Sequence, residues 1–208
     1  GNNTILGNFI GLAANGTNAV GNVLDGIGLL STPNTTIGDG TDAGRNYIVS
    51  NGANGIIVVG GGSTGNRINM NIIGMYGFGN TASGVVVSSA TDTAIISNSI
   101  FFNGLLGIDL DNNGTININD SGDGDGSANR LQNYPNIYSA KTTNGITKIG
   151  GNFNSNPSTS FVLQFFASDA CNGGVPNNYG EGQTYLGSTD ASTDIFGNTA
   201  FGFTPSSA

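Results

Sequence analysis

The side chains with the clearest chemical potential are oxygen donors between positions 109 and 125. These six candidates are Asp109, Asp111, Asn113, Asp120, Asp123 and Asp125. The first three alternate and precede Gly114, as ligands do in calcium loops of the Asp-x-Asp-x-Asn-Gly kind. Calcium takes about six to eight oxygen ligands, and this stretch supplies most of them. We therefore predict a calcium site here; the alternative is a solvated polar loop, since no EF-hand glutamate closes the motif.

Carboxylates could also cleave a polysaccharide, which is the main enzymatic alternative. Glycosidases need two acids, one with a raised pKa, facing a groove that holds sugar. Asp25, Asp92 and Asp109 lie near the starts of predicted strands and are the acids to consider. The chain has no Trp and no His, and its single Glu is Glu181. Without His there is no Ser/His/Asp triad, and aromatic sugar platforms are scarce, so we predict a non-enzymatic protein.

Composition limits the partners. The net charge is −8, with 13 acids against five bases that form no cluster, which disfavours nucleic acid. No apolar run is long enough for a spanning helix, so membrane insertion is not expected. The one cysteine, Cys171, has no internal disulfide partner. Because the sequence begins at Gly1 rather than Met, we expect a processed product or a fragment.

A repeat along the chain predicts the fold. Glycine followed by Ile or Val recurs at Gly26, Gly55, Gly84 and Gly107, at spacings of 29, 29 and 23. Isoleucine pairs five residues apart recur beside these anchors, except for one pair that is separated by the insert 38–45. Short strands of this kind bury their apolar side only when coils stack, so residues 3–110 should form a solenoid. The side chains expected to point inward are Ile5, Ile27, Ile56, Ile68, Val85, Ile95 and Ile108.

Asparagines keep the same register as the isoleucine pairs. Asn8, Asn46, Asn71 and Asn98 each stand two positions before an anchor isoleucine. Asparagine tolerates left-handed turns and can bond to identical residues in stacked strands. We predict an asparagine ladder along the coil axis; the alternative is a polar track for a ligand.

Several runs resemble a known group of proteins. Asn3–Gly11, Gly44–Gly52, Gly107–Leu110 and Leu131–Pro135 are similar to coils of secreted bacterial right-handed parallel β-helix repeat surface proteins. The stretch Phe161–Gly187 resembles the Ig-like module that often follows such a helix. This resemblance implies an all-β fold and an extracellular, cell-surface location.

The chain style changes after the repeat. We predict a right-handed parallel β-helix over residues 1–140, followed by a small antiparallel β-sandwich-like domain over residues 141–208. Strands are expected at 146–153, 161–167, 183–188 and 199–204, which is fewer than the roughly seven of an Ig-like sandwich.

These observations favour a non-catalytic extracellular scaffold, used for adhesion or as a building block of a surface layer or filament. Self-association through the chain ends is expected, because open coils and unpaired edges recruit strands. A surface glycan or a host surface is the other partner considered. The alternatives are a polysaccharide-degrading β-helix enzyme and a glycan-binding module.

Overall fold

A computed structural model describes residues 1–169 and 180–206 of the chain, and Cys171 lies outside them. Its described part is all-β apart from one short 3₁₀ helix, Ala128–Leu131. The described residues contain no helix with the length and hydropathy that crossing a bilayer requires.

The first unit contains three parallel sheets of four strands each. Sheet A pairs β1 (Thr4–Ile5), β4 (Thr36–Ile37), β7 (Arg67–Asn69) and β10 (Ala94–Ile96) in that order. Sheet B pairs β2 (Phe9–Ile10), β5 (Tyr47–Ile48), β8 (Ile72–Ile73) and β11 (Ser99–Ile100). Sheet C pairs β3 (Ile27–Leu30), β6 (Ile56–Val59), β9 (Val85–Ser88) and β12 (Ile108–Leu110). Each coil contributes one strand to every sheet, so the predicted parallel solenoid is confirmed.

The register of the sheets places β-branched apolar side chains above one another. Ile27 aligns with Ile56, which aligns with Val85, and Ile37 aligns with Ile68. The isoleucine pairs lie in sheets A and B, on either side of a corner. Together they form a core whose central members are fully buried.

Six of the seven side chains that were predicted to point inward pack in this core, and one does not. Ile27, Ile56, Ile68 and Val85 are buried, and Ile5 and Ile95 pack against them partly buried. The prediction was wrong for Ile108, which is 45% exposed. Ile108 is in register with Val85 and lies in β12, an edge strand of sheet C.

The glycine before each anchor has a packing reason. A Cβ atom on Gly26 would lie 2.6 Å from the carbonyl oxygen of Gly55, and one on Gly55 would lie 2.6 Å from that of Gly84. Both distances are shorter than any normal contact, so a side chain there would force the coils apart. The repeated glycine therefore allows the coils to stack closely.

The second unit comprises Asn117–Gly126, Arg130–Ala167 and Tyr185–Ala208. One sheet, in the order β13-β14-β17, pairs Asn136–Thr143, Ile146–Asn154 and Asn198–Phe203 antiparallel. The other sheet pairs β15 (Ser160–Ala167) with β16 (Thr184–Ser192). The four expected strands are present, and β13 is a fifth that the sequence analysis did not predict. Phe153, Leu163, Phe165, Ala191 and Phe201 form the core of this unit.

Candidate functional site

The predicted asparagine ladder is present in the solenoid. The Oδ1 atom of Asn46 accepts hydrogen bonds from the backbone N (3.0 Å) and the Nδ2 (3.0 Å) of Asn8. Asn71 accepts from Asn46 and Asn98 accepts from Asn71 in the same way, at 2.8–3.2 Å. Asn46, Asn71 and Asn98 are buried, and their Nδ2 atoms also donate to strand carbonyls at 2.8 Å. Each rung is therefore satisfied inside the protein.

A second ladder, which the sequence analysis missed, lies at the corner after sheet B. It runs through Asn22, Asn51, Asn80 and Asn103, whose spacings of 29, 29 and 23 equal those of the glycine anchors. Asn51 and Asn80 are at most 1% exposed. The equal spacing is the signal that could have revealed this ladder from the sequence.

Shorter side-chain columns stabilise other turns. Asp25 accepts hydrogen bonds from the backbone N (3.0 Å) and Nδ2 (2.9 Å) of Asn54, whose Oδ1 accepts from the backbone N of Ser83. Asp25, one of the acids considered for catalysis, is thus the first member of a structural column.

The other two acids considered for catalysis are also engaged in the coils. Asp109 is 2% exposed, and its carboxylate accepts hydrogen bonds from the backbone N of Asn113 (3.3 Å) and of Gly114 (3.0 Å). Burial raises the pKa of Asp109, although these two backbone donors lower it. Asp92 accepts a hydrogen bond from Thr64 Oγ1 at 3.4 Å. Both carboxylates therefore contact turns of the coils.

The six residues predicted to bind calcium belong to two different units. Asp109, Asp111 and Asn113 lie in the first unit, and the other three lie in the second. Asp111 accepts a hydrogen bond from the hydroxyl of Ser127 and one from the backbone N of Ala128 (3.3 Å). Asp111 therefore anchors the segment that leads into the 3₁₀ helix.

The acids of the second unit form a compact cluster. One carboxylate oxygen from each of Asp120, Asp123 and Asp125 lies within 4.8 Å of the other two. Asp120 Oδ1 is buried and has no hydrogen-bond partner among the described residues. Three carboxylates this close repel one another in the ionised state, so a cation would stabilise the cluster.

Asp123 of this cluster also accepts hydrogen bonds from several side chains of the second unit. It is 5% exposed, and its Oδ2 accepts hydrogen bonds from Gln132 (2.9 Å), Ser155 (2.7 Å) and Asn156 (3.1 Å). Its Oδ1 accepts from the backbone N of Asn133 at 2.8 Å. The sequence identified this aspartate but gave no indication of its protein partners.

One aromatic pair in the coils is exposed. Tyr76 is 76% exposed and its ring contacts that of Phe102, 42% exposed, at a centroid distance of 5.1 Å. An exposed aromatic face is the kind of surface on which a sugar ring can stack.

No known protein family matches the sequence when it is compared with family profiles, and no curated protein matches it either. The assignment of function therefore depends on the fold and on the contacts described above.

Proposed function

We propose that the chain is a non-catalytic, extracellular structural protein, in which a right-handed coil stack is a rigid building block of a cell surface. The main support is the pair of asparagine ladders. Their buried amides bond to one another from coil to coil instead of facing a ligand. Such networks make a coil stack stiff, because bending it would separate donors from acceptors that cannot reach water.

The positions of the solenoid acids argue against hydrolysis as the function. Asp25 and Asp109 are engaged with amide donors that hold the coils and turns in place. A glycosidase needs one acid free to give up a proton and a second placed opposite it. The test is to incubate the purified chain with a panel of soluble polysaccharides and to measure new reducing ends and unsaturated products.

We expect no turnover in that assay, and we expect antibodies against the chain to label intact cells of the source organism. Turnover that Asp25→Asn or Asp92→Asn abolishes, while the exposed Asp190→Asn leaves it intact, would replace this proposal with the enzymatic one.

Glycan binding is a second candidate, supported by the exposed pair Tyr76 and Phe102. Binding to a glycan array that Tyr76→Ala abolishes would favour it. Tyr138→Ala is the matched control, because Tyr138 is 71% exposed but lies in the second unit. Equal loss of binding in both variants would indicate general stickiness rather than a site.

The proposal includes calcium at the cluster of Asp120, Asp123 and Asp125. The close carboxylate oxygens and the buried Asp120 Oδ1 support it. Calcium there would hold the segment 120–125 against the rest of the second unit, which contains the proposed Ig-like sheets. It also includes self-association of the chain, to be measured by sedimentation at micromolar concentration.

A further inference from the structure

Residues 180–183 lie alongside β11, the last strand of sheet B. The backbone N of Ile100 donates a hydrogen bond to the carbonyl of Gly182 at 2.8 Å, and the two residues form an antiparallel bridge. The hydroxyl of Ser99 donates to the carbonyl of Gln183 at 2.5 Å. This segment, which we call the strap, belongs to the first unit although it follows β11 by about eighty residues.

Glu181 of the strap takes the place of a rung in the second asparagine ladder. Its Oε1 accepts from the backbone N (3.3 Å) and the Nδ2 (2.9 Å) of Asn103. Asn80 Oδ1 accepts from the same two atoms of Asn51, at 3.1 and 2.9 Å. A carboxylate oxygen thus stands where the next coil would supply an asparagine oxygen.

The strap runs in the opposite direction to the coil strands. Every pairing between coils is parallel, whereas the bridge of the strap to Ile100 is antiparallel. The strap therefore ends the ladder and covers the edge of β11 without starting another coil; without the strap, that edge would be unpaired. An unpaired edge of this kind recruits strands from other molecules.

The same end of the solenoid is closed at another corner. Asn129 Oδ1 accepts from the backbone N of Thr93 at 3.0 Å, and its Nδ2 donates to the carbonyl of Thr93 at 2.8 Å. The adjacent Ala128 is fully buried in the solenoid core. Two separate segments thus each supply one side-chain oxygen, from Glu181 and from Asn129, that accepts a hydrogen bond from a backbone N–H group of the last coil.

We propose that the strap is an end plug, held by Glu181, that prevents the edge of β11 from pairing with a strand of a second copy of this chain. When the strap lifts, the amide of Ile100 loses its acceptor and Asn103 loses its two hydrogen bonds to Glu181, although its Nδ2 still donates to the carbonyl of Ile73. An edge strand of another copy can then supply acceptors in place of the strap. This inference goes beyond the proposed function and does not depend on it, because it concerns hydrogen bonds at one edge of the fold.

The test compares Glu181→Ala with Glu181→Gln in the full chain. Alanine removes the Glu181 oxygen that accepts two hydrogen bonds from Asn103, whereas glutamine keeps an oxygen at the same place. Amide hydrogen exchange then reports on the edge residue by residue. The amides of Ser99 and Phe101 bond to Asn71 and Ile73 of the preceding coil, so they serve as internal controls for folding.

In Glu181→Ala we expect exchange at Ile100 and Asn103 to rise about tenfold or more, as the loss of a charge-assisted hydrogen bond implies. Ser99 and Phe101 should keep their protection, and sedimentation should show more association than the wild type and Glu181→Gln show at the same concentration. Unchanged exchange at Ile100 and Asn103 would overturn the proposal, since Glu181 would then not hold the strap. Faster exchange at these amides with no increase in association over the wild type would overturn it too.

Discussion

The side-chain amide of Asn80 donates a hydrogen bond of 2.8 Å to Asn103 Oδ1, although the two residues are 23 positions apart. The same Nδ2 also donates to the carbonyl of Ile48 at 3.0 Å, so it joins three successive coils. Because Asn80 is 1% exposed, water cannot replace either partner. The contact therefore makes the stacking of coils dependent on side-chain amides as well as on backbone pairing.

Replacing Asn80 by Ala should lower the free energy of unfolding by at least about 2 kcal/mol, because the buried N and Nδ2 of Asn51 lose their acceptor. Urea denaturation measures this loss. Asn22→Ala is the control, since Asn22 is an exposed rung that only donates within the ladder, and it should lose less than about 1 kcal/mol. Equal losses in the two variants would contradict a stabilising role for the buried ladder.

Replacing Ile68 by Ala should cost about 2–5 kcal/mol through lost burial and the cavity left behind. Ile68 is fully buried between its register partners Ile37 and Ile95. Ile118→Ala is the matched control, because Ile118 is 85% exposed and its truncation should change stability by no more than about 0.5 kcal/mol. A shift of the urea midpoint in the control as large as that of Ile68→Ala would argue against this core.

Calcium should raise the melting temperature of the wild-type protein relative to the same protein in chelator. Binding to the native state alone adds about 2.7 kcal/mol of stability when free calcium is about 100 times the Kd. Asp120→Asn should remove this difference, because it neutralises a carboxylate of the cluster. Asp190→Asn, an exposed acid elsewhere in the same unit, should keep it. Identical melting of the wild type in calcium and in chelator would contradict the calcium proposal.

The buried carboxyl of Asp109 predicts a specific dependence on pH. Burial raises its pKa in the folded state above 3.8, so the folded protein holds this proton more tightly than the unfolded chain does. Its contribution to stability is therefore lost as the pH rises from about 3.8 through the raised folded pKa. The free energy of unfolding is measured by urea denaturation for the wild type and for Asp109→Asn across that pH window. The difference between the two proteins isolates the contribution of Asp109. A difference that stays constant with pH would show that Asp109 does not contribute in this way.

The spacing of glycine and isoleucine by itself determined the coil repeat. Stacked coils must present an apolar side chain at the same place in each turn, so the register of Ile27, Ile56 and Val85 is already present in the sequence. The same holds for the first asparagine ladder, and the second was detectable from its equal spacing. Local periodicity reports these features because one strand of each coil repeats the environment of the previous one.

Only the tertiary structure decided which distant segments complete the last coil and the acidic cluster. Glu181 reaches Asn103 across 78 positions, and Ser155 reaches Asp123 across 32, with no repeat to announce either contact. Ile108 has the sequence pattern of a core residue, yet it is 45% exposed in β12, at the edge of sheet C. Such contacts depend on where loops return to the stack, and the repeat that fixes the coils places no constraint on that path.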